Sequence, residues 1–375
     1  MKKIVSLSLL YVLSLSMTAQ SPEVKSAIDA FLAGLPDKAE VAVGIVHNGE
    51  EYRYGYIRED GQVRETDQEN AIFEIGSITK TFTATLLMEQ VDKGEMGLDD
   101  PIQQYLPVSI KQPTYEGHSI TLKHLVTHTS GLSNGPGSFL WPYLKSKLFA
   151  PQNPYKYMKA RHYYRYLKGF KLDYIPGKEW AYNNAAVALL GTLIARHQQR
   201  TWEGLVQEKL FEPLDMNDSY FRIGEAQEGR MVQGYNGKGK KNALWEMDFI
   251  NPAGVIKSTP ADMMKWLKAH LDPPAGMEYF SATHQKLDID IPPLEGHAMG
   301  IGWVHKIVDD DTRFLWHNGG TGGFHSFLGF DKAARNGTLI FTNFSQGHPQ
   351  MKNEAGKSKV DALGFELLGL LRDVE

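Results

Sequence analysis

Ser77-Ile78-Thr79-Lys80 places a hydroxyl and an amine three residues apart, at the start of what reads as a long helix. Positions i and i+3 share one helical face, so the Lys80 amine can reach the Ser77 hydroxyl. The free N–H groups and the dipole of a first helical turn favour developing negative charge. A serine nucleophile needs both, a neighbouring base and an electropositive cradle for an oxyanion. The same residues also describe a serine cap followed by an ordinary exposed lysine.

Two later stretches bear on that choice. Tyr182-Asn183-Asn184 follows Pro176-Gly177-Lys178-Glu179-Trp180 and precedes a helix expected from Ala185 to about Arg196. A phenol at a loop-to-helix junction can project into a cleft. A neighbouring cationic lysine would lower its pKa and make it a general base. The plainer alternative packs the tyrosine on its own helix with Asn184 as a cap. His317-Asn318-Gly319-Gly320-Thr321-Gly322-Gly323-Phe324 reads as a link between two C-terminal strands. Its glycines suit backbone brought close to a ligand. An N–H here could oppose the Ser77 N–H as the second arm of an oxyanion hole. A tight strand connection is the simpler account, but it leaves the polar residues around the glycines unexplained.

The elements that must position these groups follow from patterning. Ser21 to Leu35 reads as an amphipathic helix, Val41 to His47 as a strand, Asn48-Gly49 as a hairpin turn and Glu51 to Tyr56 as the return. Apolar residues at Ile78, Phe82, Leu86, Leu87 and Val91 mark a helix that Lys93-Gly94 ends. From Leu98 to Lys268 the pattern is mainly helical. Strands resume at Gly300 to Val308, Arg313 to His317, His325 to Phe330 and Thr338 to Phe344, and a helix from Lys357 to Leu371 closes the chain. The order implies an α+β fold, an antiparallel sheet built from both chain ends and flanked by terminal helices, with a helical lobe inserted. We expect one two-lobed domain over 21–375, with 21–97 and 270–375 in the α/β lobe and 98–269 in the helical lobe.

Composition narrows the function classes. The 375 residues are 42% hydrophobic and 22% charged, ordinary for a globular protein. A net charge of −4 gives no electrostatic case for nucleic acid or an anionic membrane. Arg161 to Lys171 is locally basic and is read as a solvated helix face. There is no cysteine, so disulfides, thiolate metal sites and cysteine nucleophiles are excluded. Lys2-Lys3, an apolar run from Ile4 to Met17 and small residues near Ala19 follow the order of a secretory signal peptide over 1–20. That run is short for a membrane span. The reading is therefore an exported protein, periplasmic or secreted, without stable membrane insertion after cleavage. His124 and His128 lie at i, i+4 and could chelate a metal, but no glutamate follows His124 and no third ligand is evident. No metal or cofactor is assigned.

Ser-x-x-Lys, Tyr-x-Asn and His-x-Gly in this order resemble the penicillin-recognising serine hydrolases, and within them the class C beta-lactamase-related family. That family includes D-alanyl-D-alanine carboxypeptidases, D-aminopeptidases and esterases. Phe73-Glu74-Ile75-Gly76, the Thr121 to Leu132 run and Pro252-Ala253-Gly254 add matching context. Ser77 is the only serine followed by lysine at the third position, and Tyr182 the only tyrosine with asparagine two residues on. The resemblance implies Ser77 as the acylated nucleophile, with Lys80 either deprotonating it or holding Tyr182 anionic. Tyr182 would relay the proton. Asn184, His317, Gly319 and Gly320 would line the substrate site, and the N–H groups of Ser77 and Gly320 would polarise the carbonyl. Lys-Thr-Gly, the third motif of dedicated class C beta-lactamases, is absent. His317 in its place points to D-peptides, small esters or amides as substrates. A true beta-lactamase and a non-catalytic binder of peptidoglycan fragments are the alternatives.

Overall fold

The computed structural model describes residues 21–372. The expected signal peptide lies outside the described residues. Ser21 caps helix α1 (Pro22–Ala33) through its hydroxyl, and the chain then enters β1 (Glu40–His47) and β2 (Glu50–Glu59). Asn48 and Gly49 between them both have positive φ, the geometry of a two-residue hairpin turn. A third strand, β3 (Gln62–Glu65), was not expected; its four residues are all exposed and carry no apolar alternation.

The C-terminal strands are β4 (His297–Met299), β5 (Val304–Ile307), β6 (Arg313–Gly320), β7 (His325–Asp331) and β8 (Asn336–Thr342). Together the eight form one antiparallel sheet in the order β3-β2-β1-β8-β7-β6-β5-β4. The expected strand from Gly300 is split, because the chain turns at Gly302, where φ is positive and a Cβ would strike Ala84. β1 joins the two chain ends by pairing with β2 on one side and β8 on the other. Val41, Val43 and Ile45 face α1 and the C-terminal helix, while Ala42 and Val46 face the opposite core. A strand buried on both sides explains the near-continuous apolar run.

Between the two sets of strands lie α2 (Thr79–Asp92), α3 (Leu122–Val126), α4 (Leu140–Phe149), α5 (Ala160–Gly169), α6 (Asn184–His197) and α7 (Pro260–Leu271); α8 (Lys359–Leu370) ends the fold. α2 is not the one-faced helix its spacing suggests. Twelve consecutive residues, Thr79 to Gln90, are buried. Its polar residues fit because their hydroxyls bond backbone carbonyls: Thr81 to Ile78 O, Thr83 to Pro252 O and Thr85 to Thr81 O. α2 packs on α6, on the short helical turn Asn251–Gly254 and on Trp202–Val206, so it sits in the helical part of the molecule. α7, inside the stretch assigned by sequence to the helical lobe, packs on β1, β7 and β8. Its Trp266 stacks on Phe82 of α2 with centroids 3.7 Å apart and bonds Thr81, which clamps the two parts together.

Beneath α7 lies a buried imidazole cluster. The His270 and His284 rings share a 2.9 Å hydrogen bond, and neither His305 nitrogen has a partner among the described residues. Burial pushes His284 from 6.5 down to about 3 and His305 down to about 4. Below pH 6.5 the unfolded chain therefore binds protons that the fold refuses. The histidines' contribution to stability is complete above that value and falls with acid, by about 1.4 kcal/mol per pH unit for each such group. Urea midpoints should drop steadily from pH 7 to pH 4.5, less so in His305→Gln. A flat midpoint in the parent would contradict this account.

Candidate active site

Ser77 sits on a 3₁₀ turn, Gly76–Ile78, that runs directly into α2. Gly76 adopts positive φ, and a Cβ there would come within 2.7 Å of Gly320 N. Gly319 is tighter still, because a methyl on it would overlap Ile75 O. The two glycines let β6 cross against the nucleophile turn with backbone touching backbone. Ser326 on β7 fastens the crossing by donating its hydroxyl to Ile75 O at 2.9 Å.

This revises the reading of the third motif. His317 to Gly320 lies inside β6 and is not a link between strands. β5 pairs with β6 only as far as Trp316, so beyond that point one edge of β6 has no strand beside it among the described residues. Gly319 serves as the crossing point, a task that the substrate-contact expectation did not include.

The Lys80 amine donates to Ser77 Oγ at 2.9 Å and to Ala253 O at 2.7 Å. It is 1% exposed, and burial holds it well below the usual lysine range. The helical spacing thus brings Ser77 and Lys80 together as expected. Ala253 O is a partner that the sequence did not identify, although Pro252-Ala253-Gly254 was noted as context.

Tyr182 lies across the cleft with Lys80 Nζ 4.9 Å from its ring centroid. Asn183, not Asn184, caps α6 by accepting from Ala186 N. That leaves the Asn184 amide in the cleft, 3.5 Å from the Tyr155 hydroxyl. The Tyr182 phenol departs from expectation in its direction of shift. Burial pushes it above its ordinary value, and the bond with the Ser77 hydroxyl only partly offsets this. Protein atoms surround the ring, yet 40% of the residue remains exposed to the open cleft, and solvent tempers that push. Lys80 is itself lowered by burial, and its charge is not among the influences that set the phenol's shift.

His128 escaped the sequence reading as a site residue. α3 ends at Val126, and His128 takes positive φ beyond it, so it does not share a helical face with His124. Its ring lies 4.6 Å from that of Tyr182, and its Nδ1 accepts from Asn183 N. Ala181 N bonds His128 O and Gly177 N bonds Thr129 O, so the Thr121 to Leu132 run buttresses the tyrosine. His124 instead turns its Nδ1 to Thr121 N.

His317 is buried, and its Nδ1 donates to Asn318 O at 2.6 Å. Burial, reinforced by Lys80, pushes it down to about 3, so the ring is neutral near pH 7. Below it, Glu74 accepts from Thr321 Oγ1 at 2.7 Å and Trp245 N at 2.6 Å, with Lys257 at 4.0 Å. The Thr321 bond ties the strand before Ser77 to the turn after β6, and Lys257 forms a buried pair with Glu74. Burial drives both members toward neutrality, Glu74 upward and Lys257 downward.

A hydroxyl, a buried amine and a phenol meeting where a helix start crosses a sheet strand belong to one class, the serine hydrolases of the penicillin-binding-protein fold. Comparison with known proteins agrees. The chain belongs to the Beta-lactamase family, whose model matches residues 28–360. It is 28% identical over 335 residues to D-alanyl-D-alanine-carboxypeptidase/endopeptidase AmpH of Escherichia coli (strain K12), covering 82% of this chain and 81% of that one. It is 24% identical over 400 residues to a Beta-lactamase of the same organism, covering 97% and 98%. The fold is shared with a Beta-Lactamase/D-Alanine Carboxypeptidase from Pseudomonas syringae, at a TM-score of 0.73 and 20% identity over 94% of this chain and 98% of that one. It is also shared with an octameric penicillin-binding protein homologue from Pyrococcus abyssi, at a TM-score of 0.74 and 22% identity over 94% and 77%.

Proposed function

We propose that this serine hydrolase is exported and works through an acyl-enzyme at Ser77, cleaving D-amino-acid-containing peptides or small esters and amides. The observation that carries the reading is the 2.9 Å contact between Ser77 Oγ and an amine whose proton affinity burial lowers. Lys80, in its unprotonated form, takes the Ser77 proton as Oγ attacks the carbonyl. The N–H groups of Ser77 and Gly320 receive the oxyanion. Tyr182, protonated at rest, gives its proton to the leaving group and is refilled from the Lys80 ammonium. In the second half, water attacks the ester and the same groups pass the proton back. Lys80 is thus the first base and Tyr182 the first acid.

Substrate choice rests on two features of the cleft. The free edge of β6 beyond Trp316 suits an extended peptide backbone, and the loosely held Asn184 amide suits an acyl-side amide. The neutral His317 supplies no cation for the carboxylate of a beta-lactam. The relative AmpH is named for D-alanyl-D-alanine cleavage, in keeping with a D-peptide substrate. Export rests on the N-terminal sequence pattern.

Intact-mass spectrometry tests the reading. After incubation with p-nitrophenyl esters, D-Ala-D-Ala peptides or nitrocefin, the protein should gain one acyl mass on the peptide containing Ser77. Ser77→Ala should gain none, and equal labelling of that variant would refute the proposal. The same spectra of the protein from its natural host read the N-terminus, expected near Gln20 or Ser21.

A further inference from the structure

Helix α4 is inside out. Its buried residues are Pro142 and Ser146, while Leu140, Trp141, Leu144 and Leu148 are exposed. Leu140, Leu144 and Leu148 are spaced four apart and form a stripe with Trp141 beside it, on the side opposite Pro142 and Ser146. Exposure reaches 79% at Trp141 and 74% at Leu148. A soluble helix normally hides such a stripe, and a contiguous exposed one marks a surface that another phase or partner covers. Lys145 and Lys147 flank the stripe, one on each side. They rest over the Tyr157 and Tyr143 rings and form no ion pair among the described residues.

The charge around α4 selects the occupant. Residues 137–171 hold eight Lys or Arg and no Asp or Glu, although the whole chain carries −4. Lys156 and Lys159 are matched by Glu246 and Asp248, and the other six form no ion pair among the described residues. An apolar stripe with tryptophan at its side and lysines at its margins has the make-up of a helix lying in a lipid–water interface. Surplus positive charge on adjoining segments is what an anionic headgroup layer attracts. No described helix is long and apolar enough to cross a membrane, so the contact is peripheral.

We propose that α4 docks this protein reversibly on the surface of an anionic phospholipid bilayer, with Leu140, Trp141, Leu144 and Leu148 entering the interface. The dock adjoins the candidate cleft. Asn134, shortly before α4, accepts from Ala185 N at the start of the helix that follows Tyr182. Docking therefore holds the hydrolase within reach of membrane-proximal substrates, and the inference stands whatever the substrate proves to be.

The absence of cysteine allows a direct test, because a cysteine at position 148 is a unique label site. Leu148→Cys carrying a polarity-sensitive nitrobenzoxadiazole dye should brighten and shift to the blue on vesicles of phosphatidylcholine with phosphatidylglycerol. The response should shrink on phosphatidylcholine alone and in high salt. The same dye on Glu354→Cys, an exposed turn residue, should not respond. Leu144→Glu with Leu148→Glu should weaken sedimentation with the anionic vesicles by about tenfold or more, with small-ester hydrolysis unchanged. No dye response at position 148 on the anionic vesicles overturns the proposal. So does a response that follows protein concentration without lipid, which would assign the face to a second copy of the chain.

Discussion

Lys80→Met is expected to abolish hydrolysis, by about 10⁴-fold or more in kcat, while the folded protein loses no stability. Ser77 would lose its proton acceptor, and the ammonium that refills Tyr182 could not form. Stability responds in the opposite sense. An amine held well below 10.5 by burial is one that the unfolded chain protonates and the folded chain does not. Between its folded value and 10.5 this favours unfolding, and stability rises with pH through the window. Methionine fills a similar volume without the charge. It leaves Ala253 O and Ser77 Oγ without a donor, a loss of about 0.5–1.5 kcal/mol for each bond, which opposes the gain. Urea unfolding at pH 7 and pH 9.5 should show the parent gaining stability with pH and the variant gaining less. A variant that unfolds much more easily at pH 7 would show the amine to be structural. Conflict between function and stability is common at catalytic groups.

Gly319→Ala should be the most damaging single-methyl change near the cleft, and Gly320→Ala a mild one. A Cβ at Gly319 overlaps the carbonyl oxygen of Ile75, which belongs to the Ser77 turn and cannot rotate away. The nearest atoms a Cβ at Gly320 would meet belong to the Gln346 side chain, at 3.2 Å and beyond, and that side chain can move. The first change should destabilise by about 1–3 kcal/mol. By displacing the nucleophile it should also lower kcat/KM by about 100-fold. The second should stay within about 0.5 kcal/mol of the parent. Urea unfolding and ester hydrolysis on both variants decide the matter, and the reverse ranking would refute the crossing-point account.

Much of this was legible beforehand because it is local. The i, i+3 spacing of Ser77 and Lys80 survives folding unaltered, and Asn48-Gly49 takes the two positive φ values its residue types favour. The C-terminal strands follow from alternating and apolar runs with turn residues between them. Long-range packing decided the rest. Gly319 and Gly320 read as a loop because nothing in the chain announces that Ile75 lies against them. The upward shift of Tyr182 comes first from its own burial, which spacing does not contain. His128 reads as part of a structural helix, and the helix in fact ends two residues before it, which turns its ring toward Tyr182. Net charge is a coarse guide for a different reason: a total of −4 averages away the basic stretch around α4.

The place of β1 has a consequence for how the protein is made. Its partners on either side are β2, which follows at once, and β8, which lies about 300 residues downstream in the chain. At ribosomal rates of about 5–20 residues per second, β1 waits roughly 15–60 s for its second neighbour to be synthesised. Until then Val41, Val43 and Ile45 lack one side of their core, and a bare strand edge invites pairing with other chains. Closing so distant a contact also makes folding slow, because the chain loses loop entropy before the sheet rewards it. The last strands act as the key that locks the sheet, and they arrive last.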